Sequence, residues 1–157
     1  MMFWRAPEYR LEQVQFIPKP RSEVFQFFSD AFNLERLTPG FLHFKIMTPA
    51  PIQMGVDTVI DYRLRLYGIP LYWRTLIESH TPELAFVDTQ TKGPYTLWHH
   101  THTFEAVEGG TLMRDTVRYK LPFGILGQLA HFLFVRRSLT TIFDFRRTAV
   151  SEVFGDT

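Results

Sequence analysis

Between residues 41 and 121 large apolar side chains recur at every second position, and from 125 to 153 they recur every three to four. This change of period constrains the fold more than any other feature. Strands with one apolar and one polar face make a sheet that must be covered on its apolar side. Only the last stretch is long enough to cover it. It holds no proline or glycine between 128 and 154. As one helix over 125–153 it would run about 43 Å at 1.5 Å per residue, the length needed to cross a wide, curved sheet.

The alternation is clearest at 56–67. There Val56, Thr58, Ile60, Tyr62, Leu64 and Leu66 form one face, and Asp57, Asp61, Arg63 and Arg65 dominate the other. The same reading predicts strands at 41–48 (Leu42, Phe44 and Ile46 inward), 71–80 (Leu71, Trp73, Thr75 and Ile77 inward), 95–106 and 111–121, with turns at Tyr67-Gly68-Ile69-Pro70 and at 107–110. Residues 8–17 and 84–91 read as strands whose inner faces the pattern leaves open. Pro20 and Glu23 mark a helix start, with Val24, Phe25, Phe28, Ala31 and Phe32 as its stripe, and Asn33 caps a second short helix that Thr38-Pro39-Gly40 ends. These two helices read as a plug for the core. On the last helix Ile125, Phe132, Val135, Leu139, Ile142, Phe143, Ala149, Val150 and Val153 share the covering stripe, together with Gln128 and Arg146. The fold expected is α+β: a seven-stranded curved antiparallel sheet, two short helices after the first strand, and a long C-terminal helix across the concave face. The 157 residues read as one domain, 1–157.

This order resembles the helix-grip fold of the START / Bet v 1-like superfamily, also called SRPBCC (polyketide cyclase/dehydrase and lipid transport). Local sequences strengthen the likeness: Pro20-x-x-x-Val24-Phe25-x-Phe27-Phe28, Asn33-Leu34-Glu35-Arg36-Leu37-Thr38-Pro39, Phe86-Val87-Asp88-x-Gln90, Gly93-Pro94-Tyr95, Trp98-x-His100-x-His102-x-Phe104-Glu105, Gly110-Thr111 and Leu121-Pro122-Phe123-Gly124. They are similar to a bacterial branch of that superfamily. The resemblance implies the fold and an internal cavity. It spans lipid and steroid carriers, hormone receptors and aromatase/cyclases, so it implies no single activity.

The hairpin 95–121 carries the most chemistry. Arg114, Thr116, Arg118 and Lys120 form an unbroken polar face, so Met113, Asp115, Val117 and Tyr119 must face inward. A four-residue loop then pairs Phe104 with Met113, His102 with Asp115, His100 with Val117 and Trp98 with Tyr119. His99 goes to the outer face. A carboxylate beside an imidazole favours the imidazolium. The pair reads as a buried structural bond, a polar contact for a ligand, or an acid–base device in which His102 and Asp115 are the catalytic candidates. The prediction is a His102 pKa raised above the ordinary value of about 6.5. His100 and His102 also make a His-x-His that Asp115 or Asp88 could complete as a metal site, but metal sites commonly show further histidine or cysteine and the resemblance implies none, so no metal is expected. Arg146 either snorkels to water or points into the cup to pair with an acid.

Other classes are excluded. No serine sits in a Gly-x-Ser-x-Gly setting and no phosphate-cradling glycine loop is present, so no cofactor is expected. A net charge of +1 gives no footing for nucleic acid. The start, Met1-Met2-Phe3-Trp4-Arg5, lacks a signal-peptide core, which implies a cytoplasmic location. Phe134 and Phe145 lie off the stripe among arginines and suggest transient contact with a membrane surface or contact with a partner subunit. Oligomeric state is left open. The leading expectation is a carrier or sensor of a hydrophobic small molecule such as a lipid, quinone or polyketide, not an enzyme. Tyr62, Trp73, Trp98, Phe104, Tyr119, Phe132, Leu139, Ile142 and Phe143 would wall the site, and His100, His102, Asp115 and Arg146 would orient one polar end. The alternatives are a cyclase or dehydratase using the His–Asp pair, and a helper domain that acts through a protein partner.

Overall fold

The computed structural model describes residues 5–155. The first four residues, part of the stretch read for a signal peptide, and residues 156–157 lie outside it. One antiparallel sheet holds seven strands: β1 (Tyr9–Ile17), β2 (Lys45–Ile46), β3 (Val59–Leu66), β4 (Ile69–Thr81), β5 (Ala85–Lys92), β6 (Leu97–Val107) and β7 (Gly110–Lys120). Their order is β1-β7-β6-β5-β4-β3-β2. Two short helices, α1 (Arg21–Ser29) and α2 (Asn33–Arg36), follow β1. The chain ends in a long helical segment of three parts: α3 (Gly124–Ala130), a π-helical turn (His131–Val135) and α4 (Arg136–Phe154). The sheet curves around that segment, which is the α+β helix-grip architecture.

The β6–β7 register matches the sequence reading pair for pair, with Phe104 opposite Met113, His102 opposite Asp115, His100 opposite Val117 and Trp98 opposite Tyr119. It follows from the polar outer face of β7 and the short loop. The two open faces are now placed. Tyr9, Leu11, Gln13, Gln15 and Ile17 oppose Tyr119, Val117, Asp115, Met113 and Thr111, so they share the inner face. Two glutamines there obscure the alternation. Gln15 is accommodated because its Nε2 donates to Arg147 O and to Ser151 Oγ on α4. In β5, Phe86 opposes His102 and Asp88 opposes His100, so both face inward. The β4–β5 ladder shifts register at Arg74/Thr75 and at Ile77/Ser79, and such bulges sharpen local twist.

Four expectations need correction. Asn33 is the first residue of α2 and not its cap, and its Nδ2 donates to Phe27 O. Val56, expected on an inner face, precedes β3 and is exposed. The strand predicted over 41–48 survives only as Lys45–Ile46. Gly40–Leu42 form a 3₁₀ turn and His43 takes a left-handed conformation at φ 46°, so Leu42 and Phe44 reach inward from an irregular segment. The last helix is not one uniform helix. A π turn holds one residue more than an α turn, so the stripe before it moves back by one position. His131 is buried where Phe132 was expected, and Phe132 and Ile125 point outward, 76% and 75% exposed. Gly127 takes the next buried position. A Cβ there would meet Pro122 O at 2.0 Å, so the close approach of α3 to the end of β7 requires glycine.

Three apolar clusters fill the concave side. Phe25, Phe28, Phe86, Phe104, Val150 and Phe154 pack beneath α1. Trp73, Trp98, Tyr119, Leu139 and Phe143 form the second, and Ala31, Ile46 and Ile60 the third. No helix among the described residues is long and apolar enough to cross a membrane.

Candidate functional site: an apolar cavity floored by a His–Asp–Arg network

Between the second and third clusters lies a cavity of about 200 Å³. Its walls come from the sheet (Tyr62, Leu71, Trp73 and Trp98), from α4 (Leu139, Ile142 and Phe143) and from the α1–α2 region (Phe28, Leu34 and Leu37). Stacked and edge-on rings hold the wall. Trp73 stands edge-on to Trp98 at 5.3 Å, and Tyr62 stacks on Trp73 at 5.9 Å. The β3–β4 hairpin closes the outer end. Tyr67 and Gly68 both have positive φ, at 50° and 78°, as a two-residue hairpin turn demands. The Tyr67 hydroxyl lies 2.7 Å from Ser138 Oγ on α4, and its ring meets Phe134 edge-on.

The floor is polar. His102 Nε2 lies 2.6 Å from Asp88 Oδ2, and its Nδ1 lies 2.9 Å from Asp115 Oδ1. His100 Nε2 lies 2.9 Å from the same Asp115 oxygen, and its Nδ1 is 3.5 Å from Asp88. Arg146 Nε approaches Asp115 Oδ2 at 3.6 Å, and its guanidinium lies over the Phe28 and Phe143 rings. All but Asp88 are buried, and Asp88 nearly so. The two imidazole centroids lie 3.8 Å apart with the rings tilted by 35°, and Phe86 stacks on His102 at 4.1 Å.

Burial alone would neutralise these groups, and their mutual contacts decide otherwise. Burial opposes the charge on His102, but bonds to Asp115 and Asp88 outweigh it and raise its pKa. Burial and repulsion from His102 lower the pKa of His100. Burial works against the Asp115 carboxylate, yet Arg146 and both imidazoles hold it well below its ordinary value. Burial likewise opposes the Asp88 carboxylate, and the two histidines outweigh it and lower its pKa. With His102 protonated between its two carboxylates, Asp88, Asp115, Arg146 and that imidazolium sum to zero, the condition under which buried charges persist. Asp88, His100 and His102 bring ligand atoms within 4.8 Å of one another and could in principle hold a divalent cation. The network as built already engages the same atoms, His102 Nε2 with Asp88 above all.

Seven buried side-chain atoms lack a hydrogen-bond partner among the described residues. Ser29 Oγ, His80 Nε2, His99 Nδ1 and Gln128 Nε2 belong to residues outside the cavity lining, and His102 Nδ1, on a lining residue, still faces Asp115 at 2.9 Å. Trp73 Nε1 and Arg146 Nε have no hydrogen-bond partner among the described residues, an uncommon and costly condition for buried polar atoms. Both residues line the cavity.

Nine of the residues singled out in the sequence line this space: Tyr62, Trp73, Trp98, His100, His102, Leu139, Ile142, Phe143 and Arg146. Four do not. Phe104 is sealed off beneath Phe25 and Phe28, at ring distances of 5.3 and 5.6 Å. Asp115 sits behind the imidazoles. Tyr119 hydrogen-bonds His131 at 2.9 Å and packs against the Tyr95 and Tyr9 rings. Phe132 is turned outward by the π turn. Asp88 enters the sequence reading in a family-like motif and as a candidate metal ligand, not as a partner of His102. The usable signal is Phe86, whose larger ring has the stronger claim to the inner face than Val87 and carries Asp88 with it.

The sequence model of the family described as polyketide cyclase / dehydrase and lipid transport matches residues 17–146. No curated protein matches the chain. Many solved structures share the fold. TTHA0849 from Thermus thermophilus superposes with a TM-score of 0.68 at 19% identity, covering 94% of this chain and 99% of its own. The Zhui aromatase/cyclase from Streptomyces sp. R1128 gives 0.65 at 11%, covering 94% and 96%. A nucleoside-diphosphate sugar epimerase from Corynebacterium glutamicum gives 0.67 at 26%, covering 90% of this chain but only 28% of that longer protein. With the fold, the cavity and the family match over most of its length, this chain belongs to the polyketide cyclase/dehydrase and lipid transport family of the START / Bet v 1-like superfamily.

Proposed function

We propose that this protein binds a small, largely apolar molecule that carries a hydrogen-bond acceptor, held in the cavity with that group toward Arg146 and Trp73. The observation that carries the reading is an apolar hollow lined by Trp73 and Arg146, whose buried Nε1 and Nε make no hydrogen bond to the described residues, Arg146 Nε being 3.6 Å from Asp115. A well-packed core would leave no such hollow. The volume exceeds the roughly 150 Å³ that accepts a benzene, so a ligand of one or two rings, or a segment of a larger quinone, polyketide or lipid, fits this space. Aromatic walls favour ring stacking, and the guanidinium favours a carbonyl or carboxylate oxygen.

Mass spectrometry of an organic extract from protein purified without detergent tests this. One apolar compound should appear in stoichiometric amount. It should be absent from Leu139→Trp, in which the added ring occupies the hollow. An empty extract from wild type, repeated after exposure to a cell lipid extract, overturns the reading and favours a helper domain acting through a partner.

A second reading rests on the short His102–Asp88 contact in the cavity wall. A proton held there can be delivered to a bound oxygen, as in a cyclase or dehydratase. In that case the extracted compound should change mass on incubation with wild type. It should remain unchanged with His102→Gln, which should still bind it.

A further inference from the structure

The cavity accounts for the inner face of the C-terminal segment. The outer face of α3 and the π turn is unaccounted for. Phe123, Ile125, Leu126, Leu129, Phe132 and Leu133 are 82, 75, 72, 54, 76 and 51% exposed. They spread over successive sides of the helix, leaving only Gly127 and His131 buried. Proteins that stay free in water rarely show apolar patches of this size. Along this stretch of chain the charge has one sign. No acidic residue occurs between Asp115 and Asp144 in the sequence. Arg136 and Arg137, on the turn that follows, have no carboxylate partner among the described residues, whereas Arg118 and Lys120 are paired with Glu8.

We infer that this face docks on an anionic lipid bilayer. An apolar tip without polar positions enters the headgroup–acyl boundary, where lipid needs no register, and Arg136 and Arg137 meet the phosphates beside it. A protein interface would be expected to intersperse polar groups that fix one alignment. Phe134, at the end of the same segment, touches Tyr67 at the closed end of the cavity. Docking therefore places that closure against the membrane. The inference stands on the surface alone and holds whether or not the cavity takes a ligand.

Flotation with vesicles of phosphatidylcholine, alone or mixed with phosphatidylglycerol, tests it. The protein should float with the mixed vesicles, and added salt should weaken the association. Leu126→Asp and Phe132→Asp, both at exposed positions, should each lower vesicle affinity by about tenfold or more without moving the unfolding midpoint. Arg136→Gln should cost about fivefold on mixed vesicles and nothing on phosphatidylcholine. No flotation with either vesicle overturns the inference, as does flotation indifferent to Phe132→Asp. A concentration-dependent dimer that Phe132→Asp dissociates, with no vesicle binding, assigns the face to a second copy instead.

Discussion

The two ends of the concave face are made by the same sheet and covered by the same helix, yet one is solid and the other hollow. At the α1 end, Phe25 and Phe28 come down between the sheet and α4, and their rings meet Phe86 and Phe104 at 5.3–6.2 Å. At the other end the α1–α2 region supplies only wall residues, Phe28, Leu34 and Leu37. α2 is a single turn, β2 has two residues, and the walls are wide rings standing edge-on. The His–Asp–Arg network lies on the boundary between the two. A core that had only to be stable would extend the phenylalanine packing to the far end. The difference teaches that the hollow follows from what the chain does not insert, and that the costly network sits where the solid part stops.

Substitutions can break this contrast. The largest effect should come from Phe104→Ala in the solid end, destabilising by about 4 kcal/mol, since a fully buried ring leaves a cavity that close packing cannot collapse. Asp115→Asn should cost about 3 kcal/mol, because it strands Arg146 beside an unbalanced imidazolium. It should also flatten the acid limb of stability. A carboxylate with a lowered folded pKa contributes stability that is fully present above its unfolded value near 3.8. That stability is lost as pH falls toward the folded value. The variant should therefore lose less stability than wild type between neutral and acid pH in urea titrations. Leu139→Ala in the hollow end should cost least, about 2 kcal/mol, because the deleted methyls already lack partners on the cavity side. A Leu139→Ala as costly as Phe104→Ala would mean that the hollow is filled in solution.

Much of this architecture is legible in the residue pattern. The outer run Arg114, Thr116, Arg118 and Lys120 admits only one orientation of β7, and the short loop after Ala106 admits only one register, so the placement of His102 against Asp115 follows. What is not legible has physical causes. Phe86 and Val87 are both apolar, so β5 could face either way, and Asp88 goes with that choice. Gln13 and Gln15 hide the inner face of β1 because their partners come from β7 and α4, distant in sequence. The π turn adds a residue without any change of composition, so a uniform helical period puts Phe132 inside and misses His131. The arginine in the apolar stripe is ambiguous alone; beside Asp115 it has a reason to be there.

Two residues on one face of α4 test the central contrast most directly. Leu139 and Val150 are both buried, at 5% and 1% exposure, and lie three turns apart over the hollow and the solid end. Urea unfolding of ligand-extracted protein should show Leu139→Trp within about 1 kcal/mol of wild type and Val150→Trp destabilised by about 3 kcal/mol or more. Equal losses at the two positions would contradict the account, since both ends would then be packed alike and no space would remain for a ligand.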